Sequence, residues 1–594
     1  MMQNGSYRIF KDKVVIRIKD RVCETPTELL SSKLFLTVLS QCINTLSRHD
    51  SRLLSIFHNY RENHEISGDD IRTLVETLIY LTKLPGDLVI RVVNGSEQFF
   101  ENRTLFNDFI EYVYNYWREL QRLIICDSEG DQLDQRPYRT FNNTVETLTH
   151  QVRSSYRDIQ ENITGNHPRI YRQVRAGAEI ATIALTKAIP YAPGPFDMLN
   201  DISMIRQVLI YPPLIFNPPN NKRSGSFERV NRNPLEFITL KKEDWLCYPA
   251  KVGSLVILVY FNLNFFELGF SLCNLFELAD DADLQRRPDA IYLFGVPEDQ
   301  FPKLGKTQTI FYDDNTPDGV LVGAVPDSPK YGYFGYLKKM ILTLHNIKMM
   351  KMHRMPYHGA MMNLTLRGKR DFSVLIMGDT GAGKSETLEA LRTIADDQVN
   401  EITIIADDMG SLEHRSDGCV IGYGTETGAF VRLDDLQPGF AFGQIDRTII
   451  MSPSQVNARV VLPVTTYDNI TRGFIPDLVL YANNYEPIDE DHPIIQPFQT
   501  PEAALEVFRT GTVMSKGTTT NSGLVRTYFA NVFGPEQYQD LHEPLAKEYF
   551  QAFFDSHTYV GQMRTQLGIP GQEHAGPEAA ARALLATINQ LSEM

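Results

Sequence analysis

The chain has 594 residues, of which 43% are hydrophobic and 22% are charged, and its formal net charge is -15. This length exceeds one typical core and predicts two or three domains, while the composition is ordinary for a soluble globular protein. The negative charge argues against a general binder of nucleic acid or of anionic membranes.

The six cysteines are widely scattered and form no Cys-x-x-Cys pair, so the sequence indicates neither a zinc knuckle nor a disulfide framework. A reducing, cytoplasmic location is therefore expected. Residues 1–20 are polar and charged and lack the apolar region of a secretory signal. The most apolar stretch, residues 252–278, is interrupted by asparagine and glutamate, which favours a buried strand and helix over a membrane span.

Residues 1–180 are predicted to form a mostly helical accessory domain. After a strand-like start at residues 14–18, apolar residues recur at helical spacing, with helical runs around residues 69–81, 105–125 and 144–163. The aromatic stripe of the second run is typical of a core. The pattern assigns no chemistry to this domain, and any protein partner or oligomer contact is expected through it.

Residues 181–330 are predicted to form a divergent α/β domain on the substrate side. A passage rich in proline and asparagine, residues 191–234, marks its start. Within that passage Lys222 and Arg223 could form an anion-binding loop, although a solvated surface turn is the favoured interpretation. Short β-rich runs follow at residues 255–261, 290–294, 309–312 and 320–322.

Residues 331–594 are predicted to be a nucleotide-binding catalytic domain, because they contain a phosphate-binding loop in its required context. A strand-like run at residues 374–377 leads into Gly-Asp-Thr-Gly-Ala-Gly-Lys-Ser, and a helical pattern begins near Glu386. The glycines let the backbone turn tightly, so that successive N–H groups can point at phosphate oxygens. The predicted nucleotide-binding residues of the loop are Gly378, Asp379, Thr380, Gly381, Ala382, Gly383, Lys384, Ser385 and Glu386.

Two elements near the loop predict where the phosphates and their metal ion bind. Lys384 is expected to reach the β- and γ-phosphates of ATP, and Ser385 to bind the accompanying Mg²⁺. An apolar strand at residues 402–406 ends in Asp407 and Asp408, and an acid at this position can hold that ion. Because successive side chains of a strand point to opposite sides, the two acids could serve different metals. The alternatives are a glycine-rich turn that binds nothing and an acidic turn that caps a helix.

Several segments, taken in order, resemble the ATP-dependent phosphoenolpyruvate carboxykinases, and the resemblance covers roughly residues 285–590. It implies a mixed α/β fold, in which a carboxykinase-like P-loop core with a mixed sheet follows the mostly helical N-terminal extension. The matching segments are Tyr333-x-Gly335-x-x-Lys338-Lys339, Met355-Pro356-Tyr357-His358, the phosphate-binding loop, Asp407-Asp408, Glu426-Thr427-Gly428, Asn469-Ile470-Thr471-Arg472 and residues 511–534.

The resemblance implies a second metal ion, Mn²⁺, held by Lys339, His358 and Asp408. Nitrogen and carboxylate ligands suit Mn²⁺, and a lysine that binds a metal must be neutral. The Mg²⁺ that accompanies the nucleotide would bind Ser385 and Asp407.

The resemblance also assigns residues to the substrate and the nucleotide. Arg472 matches an arginine that contacts both the substrate and the transferred phosphoryl group, a role suited to its planar, permanently charged side chain. Tyr333 lies on the substrate side, Glu426 on the nucleotide side, and residues 517–520 are expected at the base pocket. The implied reaction converts oxaloacetate and ATP to phosphoenolpyruvate, CO₂ and ADP. The implied catalytic residues are Lys339, His358, Lys384, Asp408 and Arg472.

The sequence departs from the family pattern on the substrate side. The family's Gly-Arg-Ser-Pro segment has no convincing counterpart, and residues 222–225 are the nearest string. Tyr336 stands where an acidic residue is usual, and the loop reads Gly-Lys-Ser-Glu, as in the HPr kinase/phosphorylases. Two alternatives therefore stay open. One is a kinase that phosphorylates a protein serine or a small hydroxyl compound, and the other is a non-catalytic, nucleotide-dependent regulatory protein.

Overall fold

The structure is a computed structural model that describes residues 6–18, 22–128, 135–191, 194–223, 227–304, 309–394, 398–436, 445–515, 523–532 and 534–593. The chain divides into two compact units. Unit 1 comprises Met1–Lys187 and Ser203–Tyr211, and unit 2 comprises Ala188–Ile202 and Pro212–Met594. This division differs from the three domains predicted, because most of residues 181–330 belongs to the same unit as the phosphate-binding loop.

Unit 1 combines a sheet with a helical layer and is therefore less purely helical than the sequence predicts. Its strands pair in the order β1-β2-β3-β4-β5, with parallel pairing of β2 with β3 and of β3 with β4. The strands are β1 (Ser6–Phe10), β2 (Lys13–Ile18), β3 (Gln121–Ser128), β4 (Ile180–Leu185) and β5 (Met204–Ile210). The helices are α1 (Pro26–Leu30), α2 (Lys33–Arg48), α3 (His58–Asn63), α4 (Gly68–Leu81), α5 (Gly86–Val92), α6 (Glu97–Phe100), α7 (Arg103–Glu119) and α8 (Gln135–Thr164).

The prediction of a helix that continues to Ile125 is wrong, because α7 ends at Glu119 and β3 begins at Gln121. Leu123, Ile124 and Ile125 are fully buried between two parallel neighbours, a position that favours continuous apolar runs. Several helix starts in unit 1 agree better with local sequence rules for N-terminal capping. Four helices begin at a side chain that accepts a backbone N–H of the first turn: Thr25 for α1, Ser32 for α2, Ser67 for α4 and Asn102 for α7.

The first part of unit 2 confirms the predicted β-rich runs. Residues 252–278 contain a buried strand followed by a short buried helix, as predicted. The strands pair in the order β8-β9-β11-β13-β12-β7, and β10 pairs with β8. These elements are β6 (Leu214–Phe216), β7 (Glu228–Val230), β8 (Trp245–Val252), β9 (Leu255–Asn262), α9 (Phe266–Phe270), β10 (Glu277–Leu278), β11 (Ala290–Val296), β12 (Ile310–Tyr312) and β13 (Leu321–Pro326).

The second part of unit 2 begins with a buried helix and contains the sheet that carries the loop. That sheet has the order β18-β17-β14-β15-β22-β26-β23, with β16 on β14, and a smaller sheet has the order β19-β21-β20-β6. The elements up to β21 are α10 (Phe334–Lys351), β14 (Met355–Leu366), β15 (Phe372–Met377), α11 (Lys384–Ile394), β16 (Val399–Ala406), β17 (Met409–His414), β18 (Val420–Gly424), β19 (Gly428–Arg432), β20 (Ile449–Met451) and β21 (Arg459–Pro463).

The remaining elements complete the sheet and its helical cover. Ala580, Leu584 and Ile588 of the last helix join the same core as β15 and α11. No helix in the described ranges is both long and apolar enough to cross a membrane. The elements are α12 (Tyr467–Thr471), β22 (Leu478–Asn483), β23 (Ile495–Pro497), α13 (Pro501–Thr510), β24 (Thr512–Ser515), β25 (Gly523–Arg526), α14 (Gln539–Asp555), β26 (Tyr559–Arg564) and α15 (Ala575–Leu591).

Candidate functional site

The predicted phosphate-binding loop lies between β15 and α11, at the carboxyl end of a central strand. β15 pairs with β14 on one side and with β22 on the other. Gly381 and Gly383 have φ values of 79° and 94°, a left-handed conformation that glycine adopts without a steric penalty. A Cβ at Gly383 would also lie 2.5 Å from Thr565 Oγ1. Backbone conformation and close packing therefore both require glycine at position 383.

Side chains from neighbouring strands hold this loop in place. Thr565 Oγ1 donates to the Ala382 carbonyl at 2.7 Å, and Asn484 Nδ2 donates to the Gly381 carbonyl at 2.8 Å. Within the loop, the N–H of Ala382 donates to the Asp379 carbonyl at 3.1 Å. The backbone is thus fixed from outside before any ligand binds, which reduces the entropy that a ligand would have to remove.

Lys384 lies at the start of α11 and points back into the loop. Its Nζ donates to the carbonyl oxygens of Gly378 at 2.7 Å and of Asp379 at 3.0 Å. Burial lowers the pKa of this lysine, and the negative charges of Asp408 and Asp379 oppose the effect. Its ammonium would have to exchange the two carbonyls for phosphate oxygens when a nucleotide binds. Ser385, the next residue, is exposed and accessible to a ligand.

One backbone hydrogen bond joins the loop to His358 on β14, and a second joins β14 to Asp408. The Gly378 N–H donates to the His358 carbonyl at 3.1 Å, and the Gly359 N–H donates to the Asp408 carbonyl at 2.9 Å. His358 is on β14, next to β15, and Asp408 lies in the turn between β16 and β17. The fold therefore brings together the loop, the histidine and the acid.

Four side chains form what we call the Asp408 cluster: Lys338, His358, Asp408 and Glu426. Lys338 Nζ lies 2.8 Å from Asp408 Oδ2 and 3.1 Å from Glu426 Oε1, and His358 Nε2 lies 2.9 Å from Asp408 Oδ1. Burial raises the pKa of Asp408, but the charges and hydrogen bonds of Lys338 and His358 outweigh it and hold that pKa well below its usual range. Asp408 is therefore ionised, with Lys338 and His358 on either side of its carboxylate.

The pKa values of Glu426, the second acid of the cluster, and of the neighbouring Asp407 are shifted in the opposite direction. Burial raises the pKa of Glu426 to about 8, although Lys338 opposes the shift. Burial and the charge of Asp408 together raise the pKa of Asp407. The low dielectric constant of the interior and the negative charge of Asp408 both disfavour ionisation of a second carboxyl group nearby. A positive ion at this place would reverse that preference and favour ionisation of both acids.

The surroundings of His358 fit a metal ligand. Its Nδ1 is hydrogen-bonded to the Ala530 carbonyl, and its Nε2 faces Asp408 Oδ1. Both partners are acceptors, and a neutral imidazole has one N–H, so the arrangement requires a proton or a cation between Nε2 and the carboxylate. Metal-binding histidines usually donate their other N–H to a carbonyl or a carboxylate. The 2.9 Å separation also matches the roughly 3 Å between neighbouring ligands of an octahedral ion.

Lysine would have to complete such a metal site. The described residues contain no group of three or more His, Cys, Asp and Glu side chains that could hold a metal ion. Lys339 is half-buried, and burial together with the charge of Arg223 lowers its pKa to about 8, although Asp408 and Asp379 oppose the shift. Its neutral form is therefore accessible near neutral pH, as metal binding requires. The ion pair with Asp408, however, is made by Lys338, which the sequence analysis did not assign to the site.

Arg472 and Tyr333 lie in different settings. Arg472 follows α12, is exposed, and donates to Asn469 Oδ1 at 3.3 Å. Its guanidinium lies 5.0 Å from the Phe474 ring, and the contacts recorded for described residues do not connect it with Asp408 or Lys384. Tyr333 is buried at the start of α10, with its ring 5.9 Å from that of Phe430. The structure thus buries the predicted substrate-side tyrosine and leaves the predicted phosphoryl-binding arginine on the surface.

Hydrogen bonds of Asn220 and Asn221 anchor the loop that carries Arg223. The side chain of Arg223 is half-buried, so the loop is not a simple solvated turn. Asn220 Nδ2 donates to the Lys330 carbonyl at 2.7 Å, just before Tyr333. Asn221 Nδ2 donates to the Val456 carbonyl at 2.8 Å, and Asn457 Nδ2 donates to the Asn221 carbonyl at 2.6 Å. The loop therefore bridges the segment before α10 and the segment before β21. Ser224 and Gly225, the rest of the nearest Gly-Arg-Ser-Pro-like string, lie outside the described residues.

Tyr333 lies in a cationic environment, to which the anchored loop contributes Arg223. Burial raises the pKa of Tyr333, while the charges of Arg459, Lys338 and Arg223 lower it. The Arg459 guanidinium lies 5.5 Å from the Phe430 ring, which in turn packs near Tyr333. Sequence reasoning missed Arg459 because no motif marks it. Its position on β21 next to the Asn221 anchor is a tertiary feature.

Residues 527–531 contact both the loop and His358. Thr527 Oγ1 donates to Asp379 Oδ2 at 3.2 Å, and the Ala530 carbonyl faces His358 Nδ1. Phe529, Ala530 and Asn531 all have positive φ, at 44°, 55° and 62°. Such conformations are costly for residues other than glycine and concentrate at functional sites. The predicted base-pocket residues 517–520 lie outside the described residues.

No family model matches the chain, and the search of curated proteins finds no match. The functional assignment therefore depends on the geometry of the loop and of the Asp408 cluster.

Proposed function

We propose that unit 2 transfers the γ-phosphoryl group of ATP in a reaction of the phosphoenolpyruvate carboxykinase type, which converts oxaloacetate and ATP to phosphoenolpyruvate, CO₂ and ADP. One observation carries the proposal. The backbone N–H of Gly378 in the phosphate-binding loop donates to the carbonyl of His358, whose side chain lies 2.9 Å from the carboxylate of Asp408. A phosphoryl donor and a metal-bound acceptor could therefore meet at one place.

On the nucleotide side, the chain supplies N–H groups, one lysine and ligands for the magnesium ion. The loop N–H groups and the start of α11 favour phosphate oxygens. Lys384 would leave the carbonyls of Gly378 and Asp379 and neutralise charge on the transferred group. Ser385 and Asp407 would hold Mg²⁺.

On the acceptor side, His358, Asp408 and Lys339 would hold Mn²⁺, which supplies Lewis-acid polarisation of the oxaloacetate carbonyl. Lys338 keeps a positive charge beside these ligands, because burial, which opposes that charge, is outweighed by the carboxylate of Asp408, which raises the pKa of the lysine. A preorganised charge of this kind stabilises the enolate that remains after loss of CO₂.

Arg223 and Arg459 are the proposed anchors of the substrate carboxylates. Both act electrostatically on the buried Tyr333, and guanidinium groups bind carboxylates through two parallel hydrogen bonds. Arg223 would take the role of the arginine in the missing Gly-Arg-Ser-Pro segment. Arg472 stays in the proposal as a phosphoryl contact that has to turn from the surface towards the loop.

The direct test is to incubate the protein with oxaloacetate, ATP, Mg²⁺ and Mn²⁺, and to detect phosphoenolpyruvate and ADP separately. We expect equal amounts of both products, and loss of both with Lys384→Ala. ADP without phosphoenolpyruvate would contradict the carboxykinase reaction but keep phosphoryl transfer. Bound ATP with neither product would contradict both.

A second candidate is a kinase that phosphorylates a protein serine or a small hydroxyl compound. Glu386 favours it, because this half-buried acid lies in the first turn of α11 and its charge acts on Lys384. A carboxylate beside the γ-phosphate can accept the proton of an attacking hydroxyl group. Under this alternative, Glu386→Gln would abolish phosphorylation of a hydroxyl acceptor, whereas His358→Ala would leave it intact.

A further inference from the structure

A partly open cavity of about 120 Å³ lies in unit 1. It is found where two apolar cores of the unit meet. Ile16, Leu34 and Val38 belong to the core that includes the sheet, whereas Ile110 and Val113 belong to the core of the helical layer. All five side chains line the cavity. An unfilled space of this size is unusual, because protein interiors are packed at the density of organic crystals.

The walls are mostly apolar and include one buried hydroxyl group that has no partner among the described residues. Ser155 on α8 lines the cavity and is 2% exposed, and its Oγ makes no hydrogen bond to any described residue. Buried serines in helices usually donate to the carbonyl four residues earlier. On the same helix, Thr149 does so to the Val145 carbonyl at 3.0 Å. Ser155 Oγ is therefore available to a molecule in the cavity.

Two other polar side chains of the wall are already engaged within unit 1. Trp117 Nε1 donates to the Ala176 carbonyl at 2.7 Å, and the hydroxyl of Tyr156 donates to Glu111. Burial raises the pKa of the Cys23 thiol, which is therefore neutral. None of the side chains that line the cavity is charged, so burial of a charged ligand would be strongly unfavourable.

We propose that unit 1 binds a small, uncharged, mostly apolar molecule with one hydrogen-bonding group, which pairs with Ser155 in this cavity. An apolar cavity of about 150 Å³ stays dry and accepts benzene, so the size points to a single ring or a short branched chain. Phenols and short alcohols are the chemical class that fits both the walls and the hydroxyl group. This site does not depend on the function proposed for unit 2.

The test uses the full chain and two probes of similar size, phenol and benzene, with binding measured by calorimetry and by the thermal unfolding midpoint. We expect saturable binding of both probes. Ser155→Ala should weaken phenol about fivefold, which corresponds to one net hydrogen bond of about 1 kcal/mol, and leave benzene unchanged. Ser154→Ala is the matched control, because that neighbouring hydroxyl donates to its own helix at the Gln151 carbonyl.

A cavity-filling change locates the binding. Val38→Phe should abolish binding of both probes. If that larger change prevents folding, Val38→Leu takes its place and should weaken binding of both probes. Absence of binding to the unaltered chain, or unchanged binding to both Val38 variants, would overturn the site. Equal weakening of phenol and benzene by Ser155→Ala would overturn the hydrogen bond assigned to Ser155.

Discussion

The interiors of the two units differ in what they bury. In unit 2, Lys338 and Glu426 have side chains that are each 3% exposed, and they meet Asp408 beside the phosphate-binding loop. In unit 1, the cavity has mostly apolar walls and a buried hydroxyl group, that of Ser155, with no partner among the described residues. Buried ion pairs are often no more stable than the apolar residues that could replace them. The functions that we propose, chemistry at the Asp408 cluster and binding of an apolar ligand in the cavity, would account for this difference.

The largest expected effect concerns the charge at the centre of the Asp408 cluster. Asp408→Asn keeps the size of the side chain but removes the carboxylate that pairs with Lys338 and His358. We expect phosphoryl transfer to fall at least about 10³-fold, because an electrostatic contact and a metal ligand are lost together. The rates of phosphoenolpyruvate and ADP formation measure this change. Asp417→Asn, in an exposed turn, is the control, and a fall of less than tenfold for Asp408→Asn would contradict the assignment.

A second effect is acid sensitivity in unit 2. Burial lowers the pKa of His345 to about 4, whereas an unfolded histidine titrates near 6.5. Between these pH values the unfolded chain binds more protons than the folded chain. The contribution of His345 to the free energy of unfolding is therefore fully present above about pH 6.5 and decreases by about 3 kcal/mol as the pH falls towards 4.

Urea unfolding of unit 2 between pH 7 and pH 4 tests this effect. His345→Gln should be less stable than the unaltered chain at pH 7 and should lose less stability on acidification. His557→Gln, at an exposed position, should keep the original pH dependence. Parallel pH profiles for the unaltered chain and His345→Gln would show that His345 is not buried in its neutral form.

The loop geometry predicts a smaller effect on stability. Gly383→Ala places a Cβ 2.5 Å from Thr565 Oγ1 and in a conformation with positive φ. We expect a loss of about 2 kcal/mol and at least tenfold weaker ATP binding, because the loop backbone has to shift. The binding is measured by calorimetry.

Gly368→Ala separates the two causes of that effect. Gly368 also has positive φ, but its added Cβ would meet no atom within 4 Å. This change should cost about 1 kcal/mol from backbone strain and leave ATP binding unchanged. Equal effects on ATP binding at both glycines would contradict the role of the close contact with Thr565.

The smallest effect is predicted in unit 1. Ser155→Ala removes a buried hydroxyl group that has no partner among the described residues, so stability without ligand should stay within about 1 kcal/mol or rise slightly. Urea unfolding of the full chain measures it, with Ser154→Ala for comparison. A loss of 2 kcal/mol or more would show that Ser155 already has a partner in the folded chain, and would remove the contrast between the two units.

Features set by residues close together in the sequence could be predicted, whereas features set by distant contacts could not. The phosphate-binding loop is set by glycines and a lysine within a few residues of one another, so its strand–loop–helix context is predictable. The strand that starts at Gln121 was predicted as helix, because a short apolar run fits both structures until its neighbours are known.

Longer-range contacts decide the rest of the site. Helix α10 is buried on nearly all sides, so no amphipathic pattern shows which of Lys338 and Lys339 faces Asp408. Arg223 is placed by hydrogen bonds from its loop to residues 110 and 236 positions away along the chain. No local motif encodes contacts of that range.

The most direct test of the proposed site is the Mn²⁺ dependence of ADP formation from ATP and oxaloacetate, measured for the unaltered chain, His358→Ala and His414→Ala. His414 is a suitable control because its ring pairs with Glu548 at 2.7 Å, away from the loop. We expect His358→Ala to lose activation by Mn²⁺ at least 100-fold, while His414→Ala keeps it. Unchanged turnover and Mn²⁺ dependence in His358→Ala would contradict the proposed site.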